Sequence, residues 1–189
     1  VVVNNAGVLL PAKVVDLRGA DLQRMLDVNL FGALYVMQEA VQVMRAQGRG
    51  HIVNVGSLAG RRGFSPLGGY SATKFALVGL TEALRTELVG ERIHVSLVLP
   101  WVVDTPLAAA IQHDPDTGDV WPNALTMPTS WVIWSIFLAI RFKLTEIAVP
   151  PGSALIEKLA ALAPGTTDAL LRRATDVARS MSDRSRAAK

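Results

Sequence analysis

Tyr70 and Lys74 stand four residues apart in the stretch Tyr70-Ser71-Ala72-Thr73-Lys74. On a helix that spacing stacks the two side chains on one face. An ammonium beside a phenol favours the phenolate, and so lowers the phenol pKa from its ordinary value near ~10. A phenol tuned toward neutrality serves as a general acid and base. The pair alone says little, because Tyr and Lys meet at this spacing by chance in many helices. Ser57 follows a strand-like run upstream of Tyr70. It is either a turn or cap serine or a hydroxyl that donates to the oxygen Tyr70 protonates. Asn29 falls on or beside an apolar helical stripe. Asparagine is a poor helix former there and is costly when buried unpaired. Its amide either satisfies the main chain of a neighbouring strand or holds a water.

Composition narrows the chemistry. The 189-residue chain has no cysteine, which excludes a disulfide framework, a thiolate metal site and a cysteine nucleophile. A reducing, cytoplasmic setting is the expectation. The three histidines, His51, His94 and His113, lack metal-ligand spacing, so no metal site is expected. No G-x-G-x-x-G or P-loop pattern follows any strand. Half of the residues are hydrophobic and 19% are charged, which describes a globular chain. The net charge of +3 is uneven. Residues 171–189 hold six basic and two acidic side chains, while the rest is close to neutral. That basic end has no aromatic residue, so no nucleic-acid partner is expected. The apolar run Trp131–Ile140 ends at Arg141 and falls short of the roughly 20 residues a membrane span needs. The start has no basic lead into an apolar stretch, so no secretory signal is expected.

The elements that must position these residues alternate between strand and helix. Val1–Val3 reads as a strand. An apolar stripe from Leu22 through Met44 predicts a helix over about 21–47. His51–Val55 is a strand, 70–89 a helix closed by Gly90, and Ile93–Val98 a strand stopped by Pro100. Residues 104–128 read as a long loop of the kind used for lids. Helix over 130–143, a strand at Glu146–Val149, and two helices near 153–162 and 167–181 complete the chain. Apolar strands separated by helices mean a parallel sheet in an α/β layered fold. Ligands in such sheets sit at the carboxyl ends of the strands. That directs attention to Asn4–Gly7, Gly56-Ser57 and the stretch from Pro100 to Thr105.

Taken together, five stretches resemble the short-chain dehydrogenase/reductase family. They are Asn4-Asn5-Ala6-Gly7, Val28-Asn29-Leu30, Ile52 to Gly60, Tyr70 to Lys74 and Pro100 to Thr105, in the family's order over residues 1 to about 150. The resemblance implies a doubly wound Rossmann-type parallel sheet, of which this chain holds the C-terminal half. Residues 1–150 would form the catalytic part and 151–189 a helical extension. It implies an NAD- or NADP-dependent oxidoreductase interconverting a carbonyl and a secondary alcohol. Tyr70 would be the acid/base. Lys74 would lower its pKa and hold the nicotinamide ribose. Ser57 would bond the substrate oxygen, and Asn29 would hold a water in a proton relay. Asn5, Ala6 and Gly7 would line the adenosine side of the cofactor, and Pro100, Val103 and Thr105 would flank the nicotinamide.

Family members begin with further strands and a glycine-rich pyrophosphate turn, so the chain is expected to lack that part. The competing expectation is therefore a truncated remnant or non-catalytic interaction module. Trp101 stands where the family usually has glycine, either narrowing the pocket or turning away. Gly56 replaces a frequent serine. Trp101, Leu107, Ile111, Trp121 and Met127 suggest an apolar small-molecule substrate. The resemblance implies subunit contacts through the helices near 21–47 and 70–89, hence a homo-oligomeric parent protein, and Val1–Val3 is expected to be an exposed sheet edge. The stripe Leu170, Ala174, Val177 and Met181 raises a membrane-surface helix, although a helix packed on the domain is the favoured reading.

Overall fold

A computed structural model describes residues 1–108, 126–167 and 169. Four strands, β1 (Val2–Asn4), β2 (Gly50–Val55), β3 (Ile93–Pro100) and β4 (Glu146–Val149), form one parallel sheet in that order. The register pairs Val2 with Ile52, Val53 with Ser96 and Val98 with Ile147. The strand–helix alternation is thus a doubly wound α/β sheet, as expected. Among the described residues β1 pairs only with β2, and Val3 is exposed.

Helices cover both faces. Helix α2 (Ala33–Ala46) and helix α3 (Gly68–Glu87) pack Met37, Val41, Met44 and Leu77 against Ile52 and Val95. Helix α4 (Thr129–Phe142) packs Val132, Ile136, Ala139 and Ile140 against Val53, Val98 and Val149 on the other face. This is why the strands read as nearly unbroken apolar runs: both faces are buried. Gly50 is required by that packing, since a Cβ there would lie 2.1 Å from Met44 Sδ. A short helix, α5 (Ser153–Leu162), follows β4.

Three boundaries differ from the sequence-based expectation. The long helix is not uniform: α1 (Gly19–Leu26) passes through a π-wound turn over Asp27–Gly32 before α2 begins. Asn29 lies in this wide turn, and its amide bonds outside the helix. Helix α3 spans Gly68–Glu87, ending ahead of Gly90, whose φ of +90° reverses the chain into β3. Strand β3 runs through Pro100 rather than stopping before it. The N–H of Trp101 bonds Val149 on the β4 side. The missing N–H of Pro100 therefore faces the β2 side, where β2 has already ended. Ile111 and Trp121 of the expected lid, the helix at 167–181 apart from its first residues, and the stripe from Leu170 to Met181 lie outside the described residues.

Candidate active site

The carboxyl ends of β1, β2 and β3 open onto a cavity of about 690 Å³. Ser57 follows β2, caps the short turn Leu58–Gly60 and accepts from Ala59 N at 3.1 Å. That turn is held against α3 by close backbone approach: a Cβ on Gly60 would lie 2.8 Å from the Lys74 carbonyl oxygen. Arg61 fastens its other end, with Nη2 donating to Glu82 of α3 at 2.7 Å and to Glu146 of β4 at 2.6 Å. Ser57 is thereby fixed opposite the first turns of α3, where it and the Tyr70 phenol line the same cavity and Ser57 favours the phenolate.

One helical turn on, Lys74 places Nζ 5.7 Å from the Tyr70 ring centroid and donates to the Val55 carbonyl at 3.0 Å. Both side chains are buried. Burial pushes the Tyr70 phenol up to about 12, with the Ser57 hydrogen bond pulling it back down. Burial also pushes the Lys74 ammonium down to about 8. The net pKa of Tyr70 is thus raised in this state, burial outweighing the pull toward the phenolate. Removing a phenolate from water costs more than the neighbouring groups return.

Asn5, Ala6, Gly7, Ser57, Tyr70, Lys74, Pro100, Val103 and Thr105 all line the one cavity. Asn29 does not. It is buried behind Gly7, whose Cβ position lies 3.5 Å from Asn29 Oδ1 and 3.8 Å from Lys74 Nζ. Its side-chain amide bonds neighbouring main chain and α3. Asn29 Oδ1 accepts from Val8 N at 2.8 Å, while Nδ2 donates to Val8 O at 2.9 Å and to Thr73 Oγ1 at 3.0 Å. The amide thus clamps the segment after Asn5–Gly7 to α3.

Trp101 lines the cavity, edge-on to Phe64 with centroids 5.9 Å apart, so the indole narrows the pocket rather than turning away. A Cβ on Gly56 would come within 2.9 Å of Leu99 Cδ2, the tip of a side chain. Sequence reasoning missed Gly60, Thr73 and Arg61. It also missed Asn54, which accepts from Asn4 at 2.8 Å and donates to Thr81 Oγ1 at 2.9 Å, tying β1, β2 and α3 together beneath the site. An Asn inside the run Ile52-Val53-Asn54-Val55 was the available signal, because a buried amide must find partners. Among the described residues no cluster of His, Asp and Glu forms a metal site.

A β-sheet of this order with such a hydroxyl, phenol and ammonium at its carboxyl edge defines a class. The family model described as short chain dehydrogenase matches residues 1–116, and the chain belongs to that family. It is 40% identical over 114 residues to a 3-alpha-(or 20-beta)-hydroxysteroid dehydrogenase of Mycobacterium tuberculosis, covering 60% of this chain and 44% of that protein. A short chain dehydrogenase/reductase from Burkholderia phymatum, solved in complex with NAD, superposes with a TM-score of 0.72 at 26% identity. That match covers 84% of this chain and 64% of the other. A short chain dehydrogenase from Burkholderia cenocepacia, solved with NADP, shares the fold with a TM-score of 0.72 at 23% identity, covering 90% of this chain and 68% of the other. The chain spans about half the length of the curated relatives it matches.

Proposed function

We propose that residues 1–150 carry the catalytic part of an NAD(P)-dependent oxidoreductase that interconverts a carbonyl and a secondary alcohol on an apolar substrate, with 151–189 as a helical extension. The observation that carries this reading is that Ser57, Tyr70 and Lys74 stand together in the wall of one apolar cavity. The donor set fits a dinucleotide. The main chain of Asn5–Gly7, the Lys74 ammonium and the Thr105 hydroxyl all line that cavity, and Gly7 brings no side chain between them. Asn5–Gly7 would meet the adenosine side of the cofactor, and Lys74 and Thr105 the nicotinamide and its ribose, groups common to NAD and NADP. The bound cofactor supplies or accepts the hydride.

Tyr70 gives its phenolic proton to the carbonyl oxygen in reduction and takes the hydroxyl proton in oxidation. Ser57 donates to the same oxygen and polarises it. Lys74 carries its charge at neutral pH, because its pKa of about 8 lies above 7, and it stabilises the phenolate left when Tyr70 gives up its proton. Asn29 acts as a positioning residue that holds the Asn5–Gly7 segment against α3. Pro100 and Val103 wall the nicotinamide side.

Leu9, Phe64, Leu67 and Trp101 make the rest of the lining apolar. That lining, and the hydroxysteroid dehydrogenase among the relatives, favour a steroid-sized or lipid-like ketone. Exposed Tyr35 and Val36 on α2 and Phe75 on α3 support self-association through these helices. The test is turnover of an apolar ketone panel with NADH and NADPH. Tyr70→Phe should lower kcat about 10²–10⁴-fold, the usual worth of a positioned acid; unchanged turnover in that variant overturns the assignment.

A second reading, which rests on β1 pairing only with β2 among the described residues, is that this chain by itself is a non-catalytic interaction module. Titration calorimetry with NADH and NADPH separates the two. Micromolar binding refutes the module, and no binding refutes catalysis by the chain alone.

A further inference from the structure

Trp101 fills space that the glycine usual in the family would leave open. Its main chain continues strand β3, with N donating to the Val149 carbonyl at 2.8 Å. Its side chain packs against two parts of the core, one containing Met127 and Val149, the other Leu58 and Leu99. Phe64 comes from the loop ahead of α3. Its carbonyl accepts from Leu67 N at 2.7 Å, and its ring packs on the cluster that holds Leu67 and Tyr70. The two rings meet with centroids 5.9 Å apart and planes at 87°, and both line the cavity. They make an aromatic corner, fixed by main-chain bonds and backed by core on each arm. One arm leans on the cluster of Leu58, the residue after Ser57, and the other on the cluster of Tyr70. The corner thus adjoins the groups that would meet a carbonyl oxygen.

Chemistry tells the possible occupants apart. A cation suits aromatic faces, but Lys74 already puts a positive charge in the wall, and among the described residues no Asp or Glu lines the cavity. A long flexible chain loses rotamer freedom on binding and has no ring to set against either arm. A saturated fused-ring skeleton offers only aliphatic faces. A flat conjugated ring stacks on one arm of the corner and meets the other edge-on. That arrangement adds aromatic pairing to the burial of apolar surface.

We propose that Trp101 and Phe64 are specificity-determining residues that select, among apolar ketones, those whose carbonyl is attached to a flat conjugated ring. The carbonyl in this statement rests on the oxidoreductase reading, whereas the flat-ring preference of the cavity does not.

The experiment compares acetylnaphthalene with its fully saturated counterpart, acetyldecalin, which has the same carbon skeleton. Equilibrium dialysis read by mass spectrometry gives the Kd of each ketone for the wild-type chain and for Trp101→Leu, Phe64→Leu and Trp101→Phe. Circular dichroism checks that each variant stays folded. Leucine keeps an apolar side chain but removes the ring, and phenylalanine puts a ring back. The wild type should bind the flat ketone more tightly, although the saturated one has more apolar surface to bury. Trp101→Leu should shrink that preference about 2–10-fold, the worth of one aromatic pair, with little change for the saturated ketone. Phe64→Leu should act in the same way, and Trp101→Phe should keep most of the preference. Equal binding of the two ketones by the wild type, binding of neither, or a preference unchanged in both leucine variants overturns the proposal. So does a loss in Trp101→Phe as large as in Trp101→Leu. Binding is read without cofactor or turnover, so a chain that shows the preference and transfers no hydride counts against the catalytic reading alone.

Discussion

Lys74 should weaken the fold it serves, and Lys74→Met should therefore stabilise the protein at neutral pH. The side chain is 4% exposed and donates a hydrogen bond to the Val55 carbonyl. Burial lowers its pKa from 10.5 to about 8. A folded-state value below the unfolded one means that the stability this group lends is present above about pH 10.5 and is lost as pH falls through about 8. The gap corresponds to about 3 kcal/mol, at roughly 1.4 kcal/mol per unit. Methionine removes that cost but leaves the Val55 carbonyl without its donor, which returns about 1 kcal/mol. The net expectation is a gain of about 2 kcal/mol near pH 7, or about 4–8 °C in Tm for a chain of this size. The assay is urea unfolding of both proteins at several pH values. The wild type should gain about 2 kcal/mol between roughly pH 7 and 9.5, where Lys74 discharges, and the variant should lack that slope. A variant no more stable than wild type at pH 7, with the same pH dependence, would refute the reasoning.

Gly60→Ala should destabilise by about 1–3 kcal/mol, because its Cβ would meet the rigid Lys74 backbone rather than a side-chain tip; urea midpoints check this. Asn29→Leu strands the N–H and C=O of Val8. It should cost about 2–4 kcal/mol and speed hydrogen exchange at the Val8 amide; unchanged exchange there contradicts the clamp. Ser71 Oγ is buried with no partner among the described residues. Ser71→Ala should therefore be neutral or stabilising by up to about 1 kcal/mol, and a clear loss in thermal unfolding would mean that the hydroxyl has a partner.

Much of the architecture was legible because it rests on local rules. Apolar runs of strand length separated by amphipathic stretches specify a parallel sheet with both faces covered, and β2, β4 and α5 fall where their patterns end. What escaped depends on partners distant in sequence. The π-wound turn at Asp27–Gly32 accompanies an amide bonded to Val8, twenty-one residues away. Pro100 stays in β3 because β2 ends first, which is a property of the neighbour and not of proline. The cavity-lining residues were readable because each follows a strand or opens a helix. Their electrostatics were not: spacing brings Tyr70 and Lys74 together, yet burial, which no spacing reveals, moves both pKa values toward the neutral forms.

The central claim is that Tyr70, assisted by Ser57 and Lys74, handles the proton of a hydride transfer. Incubation with an apolar ketone and NADH or NADPH deuterated at the transferable position tests it most directly, with mass spectrometry of the alcohol product. The alcohol should carry one deuterium on the carbinol carbon with the wild-type protein, and form about 10²–10⁴-fold more slowly with Tyr70→Phe. Deuterium transfer at the wild-type rate by Tyr70→Phe, or none by the wild type across the ketone panel, would contradict it.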